Sequence, residues 1–141
     1  MINQNSKKSV LIVDKQNFWR KLSFNALTSA GYRVSVFKSY IALKKKHRKL
    51  KDKPDLIIIG CAKTCVEEFE LIDSIKRSNI KQLVLCTFLT SDEMRILFQK
   101  GANDVAKKPF SSSNLVEVVE ESFHGLSTRE QYELKHISEN L

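Results

Sequence analysis

Pro54-Asp55-Leu56-Ile57-Ile58-Ile59-Gly60 is the stretch that most limits what this chain can fold into. Leu56 to Ile59 are consecutive apolar residues, three of them β-branched, behind a proline and an aspartate. A short run without polar alternation reads as a strand covered on both faces, as at the centre of a parallel sheet. Open sheets of that kind place their chemistry beyond the carboxyl ends of the central strands. The residue that ends this run is Gly60, which brings no side chain to that position.

The rest of the chain alternates around this strand. Residues 1 to 8 are polar and read as a flexible tail. Ser9 to Val13 is a short apolar strand ending at Asp14-Lys15. Asn17 to Ala30 carries Phe18, Leu22, Ala26 and Ala30 four residues apart, one helix stripe stopped by Gly31. Tyr32 to Phe37 alternates Val34 and Val36 with polar neighbours, as an edge strand does. Ser39 to about His47 is a helix with Ser39 as its N-cap. A third helix is expected over Val66 to Lys76 and a fourth strand over Gln82 to Cys86. Ser91 to Lys100 follows as a helix capped by Ser91 and ended by Gly101. Asp104 to Ala106 is a fifth strand and Ser112 to His124 a fifth helix. Five strands separated by five helices, with connections of ordinary length, predict a parallel sheet with helices on both faces.

Composition narrows the class. A chain of 141 residues is one domain by length. No apolar run approaches the roughly 20 residues of a membrane span, so no membrane partner is expected. The first apolar run, Val10 to Val13, is too short for a signal peptide, and a cytoplasmic location is expected. Three cysteines without zinc-type spacing fit a reducing compartment. Twenty-four basic against 16 acidic side chains leave a net charge of +8, much of it in Lys44 to Lys53. Such an excess suits nucleic acid, an anionic surface or an acidic protein, and equally a solvated basic face. The basic run has little aromatic interleaving and no recognition helix, so direct nucleic-acid binding by this domain stays open.

Five motifs in register resemble a bacterial response-regulator receiver domain of the CheY-like kind. They are Val10-Leu11-Ile12-Val13-Asp14, Ala30-Gly31-Tyr32, Pro54 to Ile59, Gly101-Ala102-Asn103-Asp104 and Lys108-Pro109-Phe110. The resemblance covers residues 9 to 124 and implies a flavodoxin-like (βα)5 three-layer sandwich of strand order 2-1-3-4-5. It also implies a site at the strand ends. There an aspartate ending the third strand accepts phosphate. Two acids after the first strand help to hold Mg²⁺, and a Ser or Thr ends the fourth. A lysine before a cis-proline follows the fifth strand, which carries an aromatic switch residue.

Asp14, Lys108 and Pro109 match that set. Lys15 stands at the second acid, Gly60 at the acceptor, Cys86 at the Ser/Thr position with Thr87 one residue later, and Val105 at the switch. One acid near two lysines suits a dication poorly, so Mg²⁺ binding is not expected. The expectation is a degenerate pseudo-receiver: not an enzyme, without catalytic residues, metal or cofactor, in which Lys108 pairs with Asp14. It acts as a phosphorylation-independent regulatory and dimerisation module, attached to a protein partner or a fused DNA-binding output domain. Two alternatives stay open. One is a conventional phosphorelay receiver with an unconventional acceptor. The other is a redox sensor in which Cys61 and Cys86 face each other across adjacent strands and Lys108 favours a thiolate.

In many receivers the face made by the fourth helix, fifth strand and fifth helix pairs two subunits. Here it offers Arg95, Lys100, Asp104 and Lys107 against Glu117, Glu120 and Glu121. Residues 125 to 141 form a last element, in which Ser127 and Glu130 make a capping box, with Leu134 and Ile137 following at helical spacing. Leu126-Ser127-Thr128-Arg129-Glu130 is similar to the opening of a LuxR/NarL-type helix-turn-helix. The element is thus either a C-terminal helix or the start of an output domain continuing past Leu141.

Overall fold

The computed structural model describes residues 8–46, 53–62, 68–109, 111–125 and 127–139. Most of the N-terminal tail, the centre of the basic run, Cys65, Val66, Phe110 and Leu126 lie outside the described residues. So does the side chain of Ile137. The strands are β1 (Ser9–Asp14), β2 (Arg33–Phe37), β3 (Leu56–Cys61), β4 (Gln82–Cys86) and β5 (Asp104–Lys107). The helices are α1 (Asn17–Ser29), α2 (Tyr40–Lys46), α3 (Phe69–Lys76), α4 (Ser91–Lys100), α5 (Ser112–His124) and α6 (Thr128–Glu139).

The five strands form one parallel sheet of order β2-β1-β3-β4-β5, the expected doubly wound arrangement. Every residue of β3 is buried, which is why it reads as an unbroken apolar run. Its alternate residues feed two cores. Ile57, Ile59 and Cys61 pack with Leu71, Ile72 and Ile75 of α3 and Leu97 and Phe98 of α4. Leu56 and Ile58 pack with Ala26 and Leu27 of α1 and Leu115 and Val119 of α5. Gly101 ends α4 at φ 128°, a left-handed conformation that disfavours any side chain.

Some local expectations shift. The buried stripe of α1 is Ser23, Ala26 and Leu27, while Phe18 is 69% exposed. Residues four apart drift about 40° per step around a helix of 3.6 residues per turn. A stripe drawn through Phe18, Leu22, Ala26 and Ala30 therefore turns away from the sheet at its N-terminal end. The cap of α4 is Thr90, not Ser91: Thr90 is extended and its hydroxyl accepts the Glu93 N–H at 3.2 Å. β5 runs one residue further than expected, to Lys107. The expected cap of α6 is in place, with the Ser127 hydroxyl accepting the Glu130 N–H at 3.1 Å. Among the described residues no helix is long and apolar enough to cross a membrane.

Candidate functional site

β1 ends on Asp14, and the chain then turns into α1. The Asp14 carboxylate is buried and both its oxygens are engaged. Oδ1 accepts the backbone N–H of Gln16 at 2.9 Å, an Asx-type turn that starts the loop. Oδ2 lies 2.9 Å from Lys108 Nζ, with the two side chains only 6% and 3% exposed. The same ammonium donates to Gln16 Oε1 at 2.6 Å and lies 5.2 Å from the Trp19 ring centroid. Arg20 ties the loop from outside, donating to the carbonyls of Asp14 and Lys15 at 2.8 and 2.9 Å. The expected Lys108–Asp14 pair is therefore present as a closed, multiply bonded unit.

Lys108 reaches Asp14 without the cis peptide that was expected before Pro109. No cis bond occurs among the described residues, so Lys108–Pro109 is trans. The trans form is the lower-energy state for most X-Pro bonds. Lys108 is aimed by the sheet instead: its N–H donates to the Cys86 carbonyl at 2.8 Å, carrying the β4–β5 ladder one residue past the strand.

Gly60 lies beside Asp14 in the β1–β3 register. A Cβ built on Gly60 would stand 2.5 Å from Asp14 Cγ and closer still to Oδ2. Real carbon atoms do not approach so near, so the Asp14 carboxylate occupies the volume where a side chain at position 60 would begin.

Of the other site positions, Lys15 is exposed and Val105 is buried in the α3/α4 core. β4 has not slipped: Cys86 pairs with Cys61 in register, leaving Thr87 exposed beyond the strand, its hydroxyl 3.5 Å from the Cys61 carbonyl. Cys61 is disulfide-bonded and Cys86 is not, so the two do not bridge each other. Burial, with the negative charges of Glu93 and Glu68, pushes the Cys86 thiol up to about 12 against the opposing influence of Lys108. A fully buried thiol loses more by desolvation than one nearby ammonium returns, so Lys108 does not favour the thiolate that the redox alternative calls for.

Glu68, at the start of α3, is a residue that sequence reasoning missed. Burial pushes its carboxyl above the usual range, and it feels the charges of Lys15, Asp14 and Lys108. Its Oε2 is buried without a hydrogen-bond partner. Only its tertiary placement separates it from neighbouring Glu67 and Glu70.

A Mg²⁺ ion, which the resemblance implies for such a site, does not fit these residues. It demands several oxygen ligands in octahedral array. Both Asp14 oxygens are committed, Oδ1 to the Gln16 N–H and Oδ2 to the Lys108 ammonium. Among the described residues no group of three His, Cys, Asp or Glu is placed to hold a metal.

The expected pairing face is changed by α6. Arg95, Lys107, Glu117, Glu120 and Glu121 are exposed, and Lys100 lies over the Phe69 ring at 5.7 Å. Asp104, however, is buried and bonded inward, so it is not an available contact. Its Oδ2 accepts from the Ser122 hydroxyl at 2.5 Å and its Oδ1 from the Thr128 N–H at 2.8 Å, while Lys81 Nζ lies 4.0 Å away. It thereby joins α5 and the head of α6 to β5.

A family model described as the response regulator receiver domain matches residues 10–120. A response regulator from Thermotoga maritima is 25% identical, with a TM-score of 0.69 over 82% of this chain and 96% of that one. The chemotaxis protein CheY4 of Vibrio cholerae gives 0.71 at 22% identity, over 82% and 98% of the two chains. The beryllofluoride-activated NtrC4 receiver domain dimer gives 0.66 at 24% identity, over 82% and 95%. No curated protein matches the chain. The sheet order, the Asp14–Lys108 pair at the strand ends and the match over residues 10–120 agree: the chain belongs to the response regulator receiver domain family.

Proposed function

We propose that this receiver domain works without a phosphorylation cycle, as a regulatory and dimerisation module of a transcriptional regulator. The observation that carries this reading is the Asp14 carboxylate seated over Gly60 and closed by Lys108 at 2.9 Å. An acceptor must present an oxygen to an incoming phosphoryl group, and a metal must neutralise the charge that develops. Here the one strand-end carboxylate is buried, doubly bonded and neutralised by the chain itself. Neither role is open to it, and an ordinary Mg²⁺ site is not expected. The high, buried Cys86 thiol likewise offers no support to a cysteine-based sensor.

Signalling then runs through contacts and not through chemistry, so the module is not an enzyme. A receiver whose interface is set by its own packing needs no ligand to shift its population. The NtrC4 receiver is a dimer in its beryllofluoride-activated form, and a homodimer is the assembly proposed here. The link to transcription rests on the tail, whose Leu126 to Glu130 resemble the opening of a helix-turn-helix.

The test is incubation with acetyl phosphate and millimolar Mg²⁺, followed by intact-mass spectrometry. The mass should stay unchanged. An adduct of one phosphoryl group, labile to hydroxylamine, would overturn the reading and favour a phosphorelay receiver with another acceptor.

A further inference from the structure

We propose that the chain carries a second site, a cationic cleft at the amino ends of β4 and β5, which takes a small phosphorylated molecule. The cleft lies at the far end of the sheet from Asp14 and Lys108, so the proposal stands independently of the reading above.

Several elements converge there. α3 ends on Lys76, and the turn after it supplies Asn79 and Lys81. Asn103 precedes β5, and Arg129 comes from the first turn of α6. Together they line a cleft of about 470 Å³. Three of these side chains are cationic, two are amides and none is acidic. The Asn103 carbonyl oxygen Oδ1 already accepts the Gln82 N–H at 2.8 Å, which leaves its NH₂ group as a donor. The volume falls in the range of small-molecule pockets, roughly 300–1,000 Å³. It admits a phosphate with an organic group or a second phosphate attached.

The three cations are positioned by the fold and only partly neutralised. Lys81 Nζ donates to the Ser122 carbonyl and lies 4.0 Å from buried Asp104. Arg129 engages Glu133 through Nε at 3.4 Å, and its guanidinium has no other partner among the described residues. The Lys76 ammonium has neither an ion pair nor a hydrogen bond among them. Its stem runs against Gly101, where a built Cβ would stand 2.9 Å from Lys76 Cβ and Cδ. The bare glycine thus sets the course of that lysine along the wall. A lysine in the last turn of a helix offsets the negative helix end, which accounts for Lys76 by itself. It does not account for Lys81 and Arg129, which two other elements bring to the same cleft. Lys53 Nζ donates to the Ser78 carbonyl at 3.2 Å, so the end of the basic run reaches this turn as well. Ammonium and guanidinium donors without a lining acid suit phosphate oxygens, which take short, charge-assisted bonds from both.

The test is calorimetric titration of the full chain with pyrophosphate at physiological ionic strength, and in parallel with duplex DNA of random sequence. Lys76→Gln, Arg129→Gln and Arg77→Gln are titrated alongside, with circular dichroism to confirm the fold. Each variant loses the same unit of charge. Arg77 is the control, because it adjoins Lys76 but is exposed, pairs with Asp73 at 3.8 Å and does not line the cleft. Pyrophosphate should saturate a single site. Lys76→Gln and Arg129→Gln should each weaken it about fivefold or more, while Arg77→Gln stays within about twofold of the intact chain. Binding that all three variants weaken alike, or that Lys76→Gln and Arg129→Gln leave unchanged, would overturn the site. Failure to saturate at millimolar pyrophosphate would overturn it too. Binding of the duplex without binding of pyrophosphate would replace it with a nucleic-acid surface.

Discussion

Asp14 and Asp104 are two buried aspartates on parallel strands of one sheet, each beside a lysine. Asp14 meets Lys108 at 2.9 Å, and its other bond comes from its own loop. Asp104 stands 4.0 Å from Lys81, and its closer partners are the Ser122 hydroxyl and the Thr128 N–H. The first constellation is closed on itself at the end of the sheet where receivers do chemistry. The second reaches outward and fastens two helices to an edge strand. The difference teaches that a buried carboxylate is defined by where its partners come from. Partners gathered at one end of the sheet make a lock, whereas partners on the flanking helices make a joint.

That contrast can be broken by mutation, and the largest effect is expected at the lock. Asp14→Ala leaves the Lys108 ammonium buried without its counter-charge, which should cost about 3–5 kcal/mol in urea unfolding. Asp14→Ala/Lys108→Met removes both charges and should recover more than half of that loss. Equal costs for the single and double variants would show that Gln16 and Trp19 suffice to hold the lysine.

Gly60→Ala should cost about 1–3 kcal/mol, because the new methyl must displace the Asp14 carboxylate. In the Asp14→Ala background the same change should cost much less. A similar cost in both backgrounds would mean that something other than Asp14 fills the space above β3.

At the joint, Asp104→Ala should cost about 1–3 kcal/mol by leaving the Ser122 hydroxyl and Thr128 N–H unpaired. Unlike the changes at Asp14, it should speed amide exchange in the first turn of α6 while leaving β1 protected. Uniform loss of protection across the sheet would make Asp104 an ordinary core residue and dissolve the contrast.

The smallest effect concerns Glu68, beside the lock. Its carboxyl is raised by burial in the folded state, so the native protein holds more protons than the unfolded chain within that window. Stability should therefore fall as pH rises from the ordinary carboxylate range through the raised value, and level off above it. Glu68→Gln should remove that slope and add under roughly 1 kcal/mol at neutral pH, since the group is partly exposed. A pH profile unchanged by the substitution would place the proton uptake elsewhere.

Much of this molecule was readable from its residues. The unbroken apolar run of β3 determined a strand covered on both faces, and alternating helices determined a parallel sheet. Gly31, Gly101 and Ser127 marked helix ends, because caps and breaks depend on a few adjacent residues. The motif register brought Lys108 to Asp14. Longer-range packing decided the rest. Phe18 points outward because the sheet selects one arc of α1, and four-residue spacing drifts off that arc. Cys86 stays protonated because its burial outweighs the neighbouring lysine, a balance that depends on every element packed around it. The absence of a side chain at Gly60 was plain in the sequence. That Asp14 fills the vacated volume was not, since it depends on the approach of β1 to β3. Nor did the capping box of α6 reveal which strand the helix would cover. That was decided by the free backbone edge of β5, where Thr128, Arg129 and Asp104 complete hydrogen bonds that no local sequence pattern encodes.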